Sequence, residues 1–526
     1  MWRSVAGRGA RNWLWPLGAG LLQAWSIAWP GSGTPLWWLQ IASLAVCAWL
    51  LCDSRSAWQA AARGGLFATA WLVGSFWWLF ISLHEYGGLA APLAALAVLA
   101  LAAFLATYYA LVSGCFWALR RTGKAQAAII FAALWLLAEL ARGWLWTGFP
   151  WGAGGYAHLD GPLAPLARAV GVYGIGFVAA LLAMALAQLR GADLRRPGAW
   201  AAALALVLVL AAAAQQRQAA WAQPQAVGAP LSVALLQGNI AQDRKFEPGS
   251  GVPEALAWYG QQLRAQDAQL VVAPETAIPM LAQQLPPGYL EALQARYERP
   301  DHRQAALVGI PLGSFAQGYT NSVLGWSPQQ LQTYRYDKHH LVPFGEFIPP
   351  LFRWFTERMN IPLGDFRRGG LGQPSMAWLD QRLAPNICYE DLFGEELAAR
   401  FADPAQAPTI FVNLSNIAWF GDSLAVAQHL AISQMRALEF ERPMLRATNT
   451  GATAIIDHRG QVQALLPAHT RAVLQGQVQG QGGLTPYARW AARWGLAPLW
   501  ALALGVPLWA CCGRARRNCG QGLHLL

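Results

Sequence analysis

Apolar residues fall in long blocks over the first 214 positions and in short ones afterwards, and this change of rhythm divides the chain. A membrane-spanning helix needs roughly 20 mostly apolar residues. Runs near 12–29, 34–52, 65–83, 89–118, 126–146, 164–188 and 198–214, with one more near 491–511, meet that requirement and predict about eight spans. From about 215 to 488 the apolar runs shrink to strand length, and polar residues, Pro and Gly become common. Ser232–Gln237, Gln269–Ala273, Ala305–Ile310, Asn321–Trp326, Leu383–Ile387 and Thr409–Leu414 read as buried strands. Helical patterns lie between several of them, at Pro253–Gln266, Leu392–Phe401 and Leu424–Glu441. Strand alternating with helix predicts an α/β layered domain. The expected organisation is a multi-span α-helical membrane bundle over 1–214, an α/β domain over 215–488, and a last span with a tail over 489–526.

Composition sharpens the first part of this reading. With 55% hydrophobic and 12% charged residues, the chain is too apolar for an ordinary water-soluble protein. Its 28 Trp residues fit a membrane-water interface, where the ring and its N–H are both accommodated. The net charge of +11 is not gathered in a basic tract, which argues against nucleic acid as a partner. Much of it sits between apolar runs: Arg3, Arg8 and Arg11; Arg55 and Arg63; Arg120, Arg121 and Lys124; Arg190, Arg195 and Arg196; and Arg514, Arg516 and Arg517. These groups occupy alternate connections, so the positive-inside rule puts them and both termini in the cytoplasm, and the α/β segment outside it. The basic start followed by an apolar run has the form of a signal peptide, but the run is long, Trp-rich and followed by further spans, as a retained helix would be. Of seven cysteines, Cys47, Cys52, Cys115, Cys511, Cys512 and Cys519 lie in or beside apolar runs. Cys388 stands alone in the polar part and has no partner for an intradomain disulfide.

Three segments join a reactive side chain to the end of a predicted strand, where sites of α/β domains gather. In Val271-Val272-Ala273-Pro274-Glu275-Thr276 a carboxylate follows a strand and a proline; singly, such an acid is more often a solvated loop residue. In the stretch from Tyr336 through Lys338 and His339-His340 to Glu346, a Lys and a Glu sit in an aromatic and apolar loop. Lys338 alone reads as a surface cation, and adjacent histidines rarely face one metal ion, so no metal is expected. In Asn386-Ile387-Cys388-Tyr389-Glu390-Asp391 a thiol lies at the junction of a strand and a predicted helix, whose dipole would favour thiolate; by residue type alone it reads as a core cysteine. Together the three make a base, an oxyanion stabiliser and a nucleophile. No GxSxG, Walker or dinucleotide motif competes with them.

In this order, Pro274-Glu275, Lys338 and Cys388-Tyr389-Glu390 resemble the carbon-nitrogen hydrolase (nitrilase) superfamily. That resemblance implies a four-layer αββα sandwich and a Glu-Lys-Cys triad. The stretch from Trp135 to Trp144, continuing through Thr147-Gly148-Phe149-Pro150-Trp151 to Asp160-Gly161-Pro162-Leu163, resembles the apolipoprotein N-acyltransferase family. So do Leu236-Gln237-Gly238-Asn239-Ile240, Met435-Arg436-Ala437-Leu438-Glu439 and Arg446-Ala447-Thr448-Asn449-Thr450-Gly451. The likeness implies Glu275 as base, Lys338 and Cys388 as the rest of the triad, and Glu346, Tyr389 and Glu390 as active-site support. Gln237, Asn239, Phe246 and Trp419 are candidate substrate contacts. Phe246 stands where the family usually shows Trp, so an aromatic platform is kept and an indole N–H is not. The implied reaction is ping-pong transfer of a fatty acyl group, without a cofactor. It runs from a membrane phospholipid through a Cys388 thioester to the α-amine of the diacylglyceryl cysteine of apolipoproteins. The implied setting is the bacterial inner membrane with a periplasmic catalytic domain.

A few residues stand outside this scheme. Glu139 and Arg142 lie three apart on one helical face at membrane depth, where either a functional role or structural pairing accounts for them. His429 reads as a satisfied core histidine. Leu341–Phe355, rich in Phe, Pro and Trp, reads either as a lid dipping into the interface or as plain core. Two rival functions use the same sequence features: a membrane-tethered amidase passing the acyl group to water, and a transporter or receptor whose sandwich only binds ligand.

Overall fold

The computed structural model describes residues 13–522 apart from 121–122, 190–211, 213–214, 216–224, 302, 315, 329, 331 and 349–365, with backbone alone over 513–522. The predicted span at 198–214 lies outside the described residues, as do Arg3, Arg8, Arg11, Arg121, Arg190, Arg195, Arg196 and the lid from 349 onward. The chain divides into two compact units. One comprises Met1–Trp77, Pro92–Ala220 and Leu496–Leu526; the other comprises Trp78–Ala91 and Trp221–Gly495.

The first unit is helical, with helices at Leu14–Ile27, Trp37–Cys52, Ala57–Phe76, Ala91–Leu119, Lys124–Trp144, Ala167–Ala187 and Ala497–Gly522. Among the described residues, Ala91–Leu119, Lys124–Thr147 and Ala164–Ala187 are long and apolar enough to cross a membrane. The number is five if two further helix pairs, each interrupted by a short break, are counted as single spans. The first two apolar runs give helices of only 14 and 16 residues. The facing ends of the two runs belong instead to the connecting turn, where the Gly33 N–H donates to the Trp29 carbonyl at 2.8 Å. Arg142 is wholly buried and donates to the Tyr109 hydroxyl at 3.0 Å and to the Phe149 and Trp151 carbonyls at 2.7 and 2.8 Å. Glu139 accepts the Gly154 N–H at 3.0 Å. Both polar residues thus tie their helix to the buried 149–154 turn, satisfying its backbone groups.

The second unit holds two six-stranded sheets. The first is built from β1 (Leu231–Gln237), β2 (Leu270–Ala273), β3 (Ala305–Ser314), β4 (Gly318–Trp326), β5 (Tyr334–Asp337) and β12 (Ala472–Val478), in the order β12-β1-β2-β3-β4-β5. The second is built from β6 (Met376–Trp378), β7 (Gln381–Ile387), β8 (Ile410–Ser415), β9 (Met444–Thr448), β10 (Ala454–Ile456) and β11 (Val462–Leu465), in the order β11-β10-β9-β8-β7-β6. In each sheet the three strands β1-β2-β3 and β7-β8-β9 run parallel and the flanking strands antiparallel. Side chains alternate across each sheet. Leu231, Val233 and Leu235 of β1 therefore join Leu383, Ile387, Val412 and Leu445 of the second sheet in one buried core. Ala234 and Leu236 face the other way, onto helices Gly251–Ala265 and Tyr289–Tyr297. Behind the second sheet, Phe411 and Met444 pack with Phe440 of helix Leu424–Phe440 and Tyr487 of helix Pro486–Trp494. Layers buried on both faces explain why the strands read as continuous apolar runs. The result is an αββα sandwich.

One expected element is corrected. Leu392–Phe401 is not one helix but a short helix Gly394–Ala398 between 3-10 turns at Cys388–Leu392 and Ala399–Phe401. Phe393 adopts φ −105° and ψ 78°, outside the helical region, so the apolar periodicity there is not carried by a continuous helix.

Candidate active site

The site begins where β2 runs into Pro274, which has no N–H to extend a ladder and turns the chain. Glu275 follows, and Thr276 adopts φ +47°, a costly conformation for a β-branched residue. β3 approaches this turn so closely that a Cβ on Gly309 would lie 2.3 Å from the Pro274 carbonyl oxygen. Only glycine fits there. The turn presents a carboxylate with three donors: Asn321 Nδ2 at 2.7 Å and Lys338 Nζ at 3.4 Å on Oε1, and the Asn416 backbone N–H at 2.8 Å on Oε2.

Lys338 leaves the end of β5 and is anchored by its own N–H, which donates to the Asn321 carbonyl at 2.8 Å. Its ammonium lies 2.9 Å from Glu346 Oε1, which also accepts Asn321 Nδ2 at 2.7 Å. Glu346 is aimed by the Val342 N–H, 2.8 Å from Oε2. Burial alone would strip the charge from Lys338, but Glu346 and then Glu275 together outweigh it and raise its pKa. The amine therefore stays an ammonium, held between two carboxylates.

Cys388 arrives from β7 and takes φ +51°, a left-handed conformation at the head of its 3-10 turn. Such backbone costs of order 1–3 kcal/mol and persists where neighbours hold it. Here they do so from beneath: the Cys388 carbonyl accepts His429 Nε2 at 3.1 Å and Asn413 Nδ2 at 3.3 Å. Arg446 Nη2 lies 2.7 Å from His429 Nδ1, and a guanidinium only donates, so the imidazole carries its proton on Nε2. Burial, and then Arg446, lower the pKa of His429 and keep it neutral. Asp391 completes the brace, 2.9 Å from His429 Nε2 and accepting Ser433 Oγ at 2.6 Å.

The thiol itself is not the thiolate that a helix dipole would favour. Burial, and then the negative charge of Glu275, push its pKa up to about 12, with Lys338 offsetting only part. Burial and Glu275 thus outweigh the depression expected from a helix dipole, and Cys388 heads a 3-10 turn instead of the long helix that would supply one. At rest the group is a protonated thiol beside a carboxylate and an ammonium, so its reactivity depends on a base.

The remaining candidates separate into neighbours and braces. Glu390 lies behind the site: Oε1 accepts the Tyr336 hydroxyl at 2.8 Å and the His339 N–H at 2.6 Å, while Oε2 accepts the Ile387 N–H at 2.6 Å. It thereby ties the strand end before Cys388 to the loop that carries Lys338. Tyr389 packs its ring on Phe393 and His340. Gln237 is buried and donates to the Pro467 and Thr470 carbonyls, and Asn239 Nδ2 donates to the His469 carbonyl, so both fix loops. Trp419 follows Asn416 in a 3-10 turn and meets Tyr86 edge to face at 5.7 Å. Phe246 is half-buried beside Lys245. The two adjacent histidines diverge, His339 toward the Gly369 carbonyl and His340 toward Glu396.

Sequence reasoning missed Asn321, Asn416, Lys245 and the His429–Arg446 brace. Asn416 carried a usable signal, since Asn413, Ser415 and Asn416 place polar residues at the mouth of an otherwise apolar strand. Asn321 and Lys245 carried none, because a buried amide or cation looks in sequence like any exposed one, and nothing local linked His429 to Arg446.

Residues 19–185 match the apolipoprotein N-acyltransferase N-terminal domain, and residues 232–487 match the carbon-nitrogen hydrolase domain. An apolipoprotein N-acyltransferase of Verminephrobacter eiseniae (strain EF01-2) is 65% identical, over 94% of this chain and 95% of that protein. That of Ralstonia nicotianae (strain ATCC BAA-1114 / GMI1000) is 49% identical, over 91% and 90% respectively.

Proposed function

Since the chain belongs to the apolipoprotein N-acyltransferase family, we propose that Cys388 carries a fatty acyl group, as a thioester, from a membrane phospholipid to the α-amine of a lipoprotein's diacylglyceryl cysteine. N-acylation of lipoproteins is the reaction of that family. The observation that carries the proposed mechanism is that the Glu275 carboxylate, 3.4 Å from the Lys338 ammonium, and that ammonium both act electrostatically on the Cys388 thiol.

In the first half-reaction Glu275 takes the thiol proton as sulfur attacks the ester carbonyl. The developing oxyanion is met by the Lys338 ammonium. Collapse breaks the ester C–O bond, the leaving alkoxide takes the proton back from Glu275, and a lysophospholipid departs. In the second half-reaction the lipoprotein amine attacks the thioester and gives its proton to Glu275. The C–S bond breaks, the proton returns to sulfur, and an amide is formed. The kinetics are ping-pong. Glu346 shares the ammonium with Glu275, and Tyr389 and Glu390 support the two loops. Phe246 and Trp419 border the entry for substrate, with Gln237 and Asn239 fixing the loops beside it.

The setting completes the proposal. The eight apolar runs are read as spans of a bacterial inner membrane, with the basic connections and both termini in the cytoplasm and the catalytic unit in the periplasm. Both substrates are lipid-anchored, and taking an acyl chain out of a bilayer costs about 0.8 kcal/mol per CH₂, which a membrane-borne active site avoids.

The test uses purified enzyme, a phospholipid labelled in its acyl chain and a diacylglyceryl lipopeptide. The parent yields a labelled thioester and then a labelled amide. Cys388→Ser is expected to yield neither while remaining in the membrane; full acyl transfer by that variant would overturn the nucleophile assignment. Free labelled acid without amide would favour hydrolysis.

A further inference from the structure

The mechanism leaves one buried amine unused. Lys245, on the connection that follows β1, is wholly buried, although lysine is among the residues most rarely found inside a protein. Its Nζ donates to the Glu275 backbone carbonyl at 3.1 Å and to Thr276 Oγ1 at 2.7 Å, and lies 5.7 Å from the centre of the Phe246 ring. Ordering so long a side chain costs up to about 1.5–2 kcal/mol, and removing an ammonium from water costs several more. Burial accordingly lowers its pKa to about 7, against the opposing pull of Glu275 and Cys388.

What the amine touches accounts for its position. Both of its partners belong to the Pro274–Thr276 turn, and Thr276 is the residue held at φ +47°. The Glu275 carboxylate oxygens take their donors from Asn321, Lys338 and Asn416, so Lys245 grips the base by its backbone and not by its charge. Two N–H groups meet two acceptors, which a neutral amine supplies as well as an ammonium does.

We propose that Lys245 is a positioning residue for the base: its amino group clamps the strained turn and so fixes where the Glu275 carboxylate meets the Cys388 thiol. This rests on the reading of Glu275 as base and Cys388 as nucleophile. A displacement of about 1 Å in such a contact costs on the order of 10²-fold in rate.

The experiment measures Cys388 acylation by labelled phospholipid in the full-length enzyme, separating the first-order rate constant from the phospholipid KM. Lys245→Met is expected to lose on the order of 10²-fold in the rate constant at unchanged KM. Thr276→Val, which keeps shape and loses the acceptor, is expected to lose about 10-fold, and Thr276→Ser, which keeps the hydroxyl, to acylate at the parental rate. Parental acylation by Lys245→Met, or a loss confined to KM, overturns the clamp. If Lys245→Met does not accumulate, equal rates for Thr276→Ser and Thr276→Val overturn it alone. A parent enzyme that forms no Cys388 thioester overturns the reaction reading instead, which keeps the two failures distinct.

Discussion

The strand ends of the first sheet and those of the second meet the same small volume with opposite kinds of part. From β2, β4 and β5 come Glu275, Asn321 and Lys338, and from the loop beyond comes Glu346, all in mutual contact at 2.7–3.4 Å. From β7, β8 and β9 come one neutral thiol on left-handed backbone and, beneath it, Asn413 and Arg446, which His429 joins from the helix Leu424–Phe440. In the first half the charges touch one another, Lys338 between Glu275 and Glu346, with amide donors completing the carboxylates, so losing any one charge changes the electrostatics directly. In the second half the reactive atom is oriented through its own carbonyl by a neutral imidazole. On the mechanism proposed above, in which Glu275 is the base and Cys388 the nucleophile, this separation lets the carboxylate change charge while the backbone that carries the sulfur keeps its own neutral donors.

The largest break in that division is expected from Lys338→Met. It removes the one cation shared by Glu275 and Glu346, leaving two buried carboxylates face to face, of which one must take up a proton. With the oxyanion donor gone as well, Cys388 acylation is expected to fall on the order of 10³-fold. The measurement is single-turnover labelling of Cys388 by phospholipid. A variant within 10-fold of the parent would show that the charged half does not govern the chemistry.

A smaller effect, of a different kind, is expected from the other half. Arg446→Met leaves Asp391 and the Nδ1 acceptor of His429 buried without their cation, at distances of 3.6 and 2.7 Å in the intact protein. Breaking such a buried network costs about 3–5 kcal/mol. The expected readout is a lowered thermal midpoint in detergent, with acylation and transfer to the lipopeptide reduced in the same proportion. Selective loss of acylation with unchanged stability would mean that Arg446 acts on the reaction and not through the brace.

The same contrast explains what could be read from sequence. Glu275, Lys338 and Cys388 were legible because each ends a buried strand, and a strand both of whose faces are covered announces itself as an unbroken apolar run. β1 to β4, β7 and β8 were found in this way. β5, β6 and β9 to β12 were not: β9 carries the buried Arg446, β5, β11 and β12 are part-exposed and interrupted by polar residues, and β6 and β10 are only three residues long. The helix assigned at Leu392–Phe401 failed for a related reason, since apolar spacing at 392, 393, 397 and 401 fits a helix equally well when Phe393 breaks it. The brace under Cys388 had no local signature. His429 reads as a core histidine, which it is, and only the fold shows that the core it satisfies includes the nucleophile's carbonyl. The family resemblance supplied roles for residues that touch the reaction, and it was silent on Lys245, which touches only backbone and a hydroxyl.

The smallest expected effect concerns that residue and returns to the separation of charge from geometry. Lys245 in the folded protein has its pKa lowered to about 7 from 10.5 by burial. Between those values the unfolded chain binds the proton and the folded one does not, so this group makes stability rise with pH across that window. The penalty for burying the ammonium is present in full below about pH 7 and is relieved as the pH rises toward 10.5. Lys245→Met removes the titration. The parent's thermal midpoint, taken as a difference from that of the variant, is therefore expected to climb between pH 7 and pH 9. Each ~1 kcal/mol should appear as about 2–4 °C. A difference that stays flat or falls over that range would mean the buried amine keeps its proton throughout. Glu275 would then be working beside a fixed positive charge, and the first sheet's half of the site would hold two permanent cations where the present division of roles requires one.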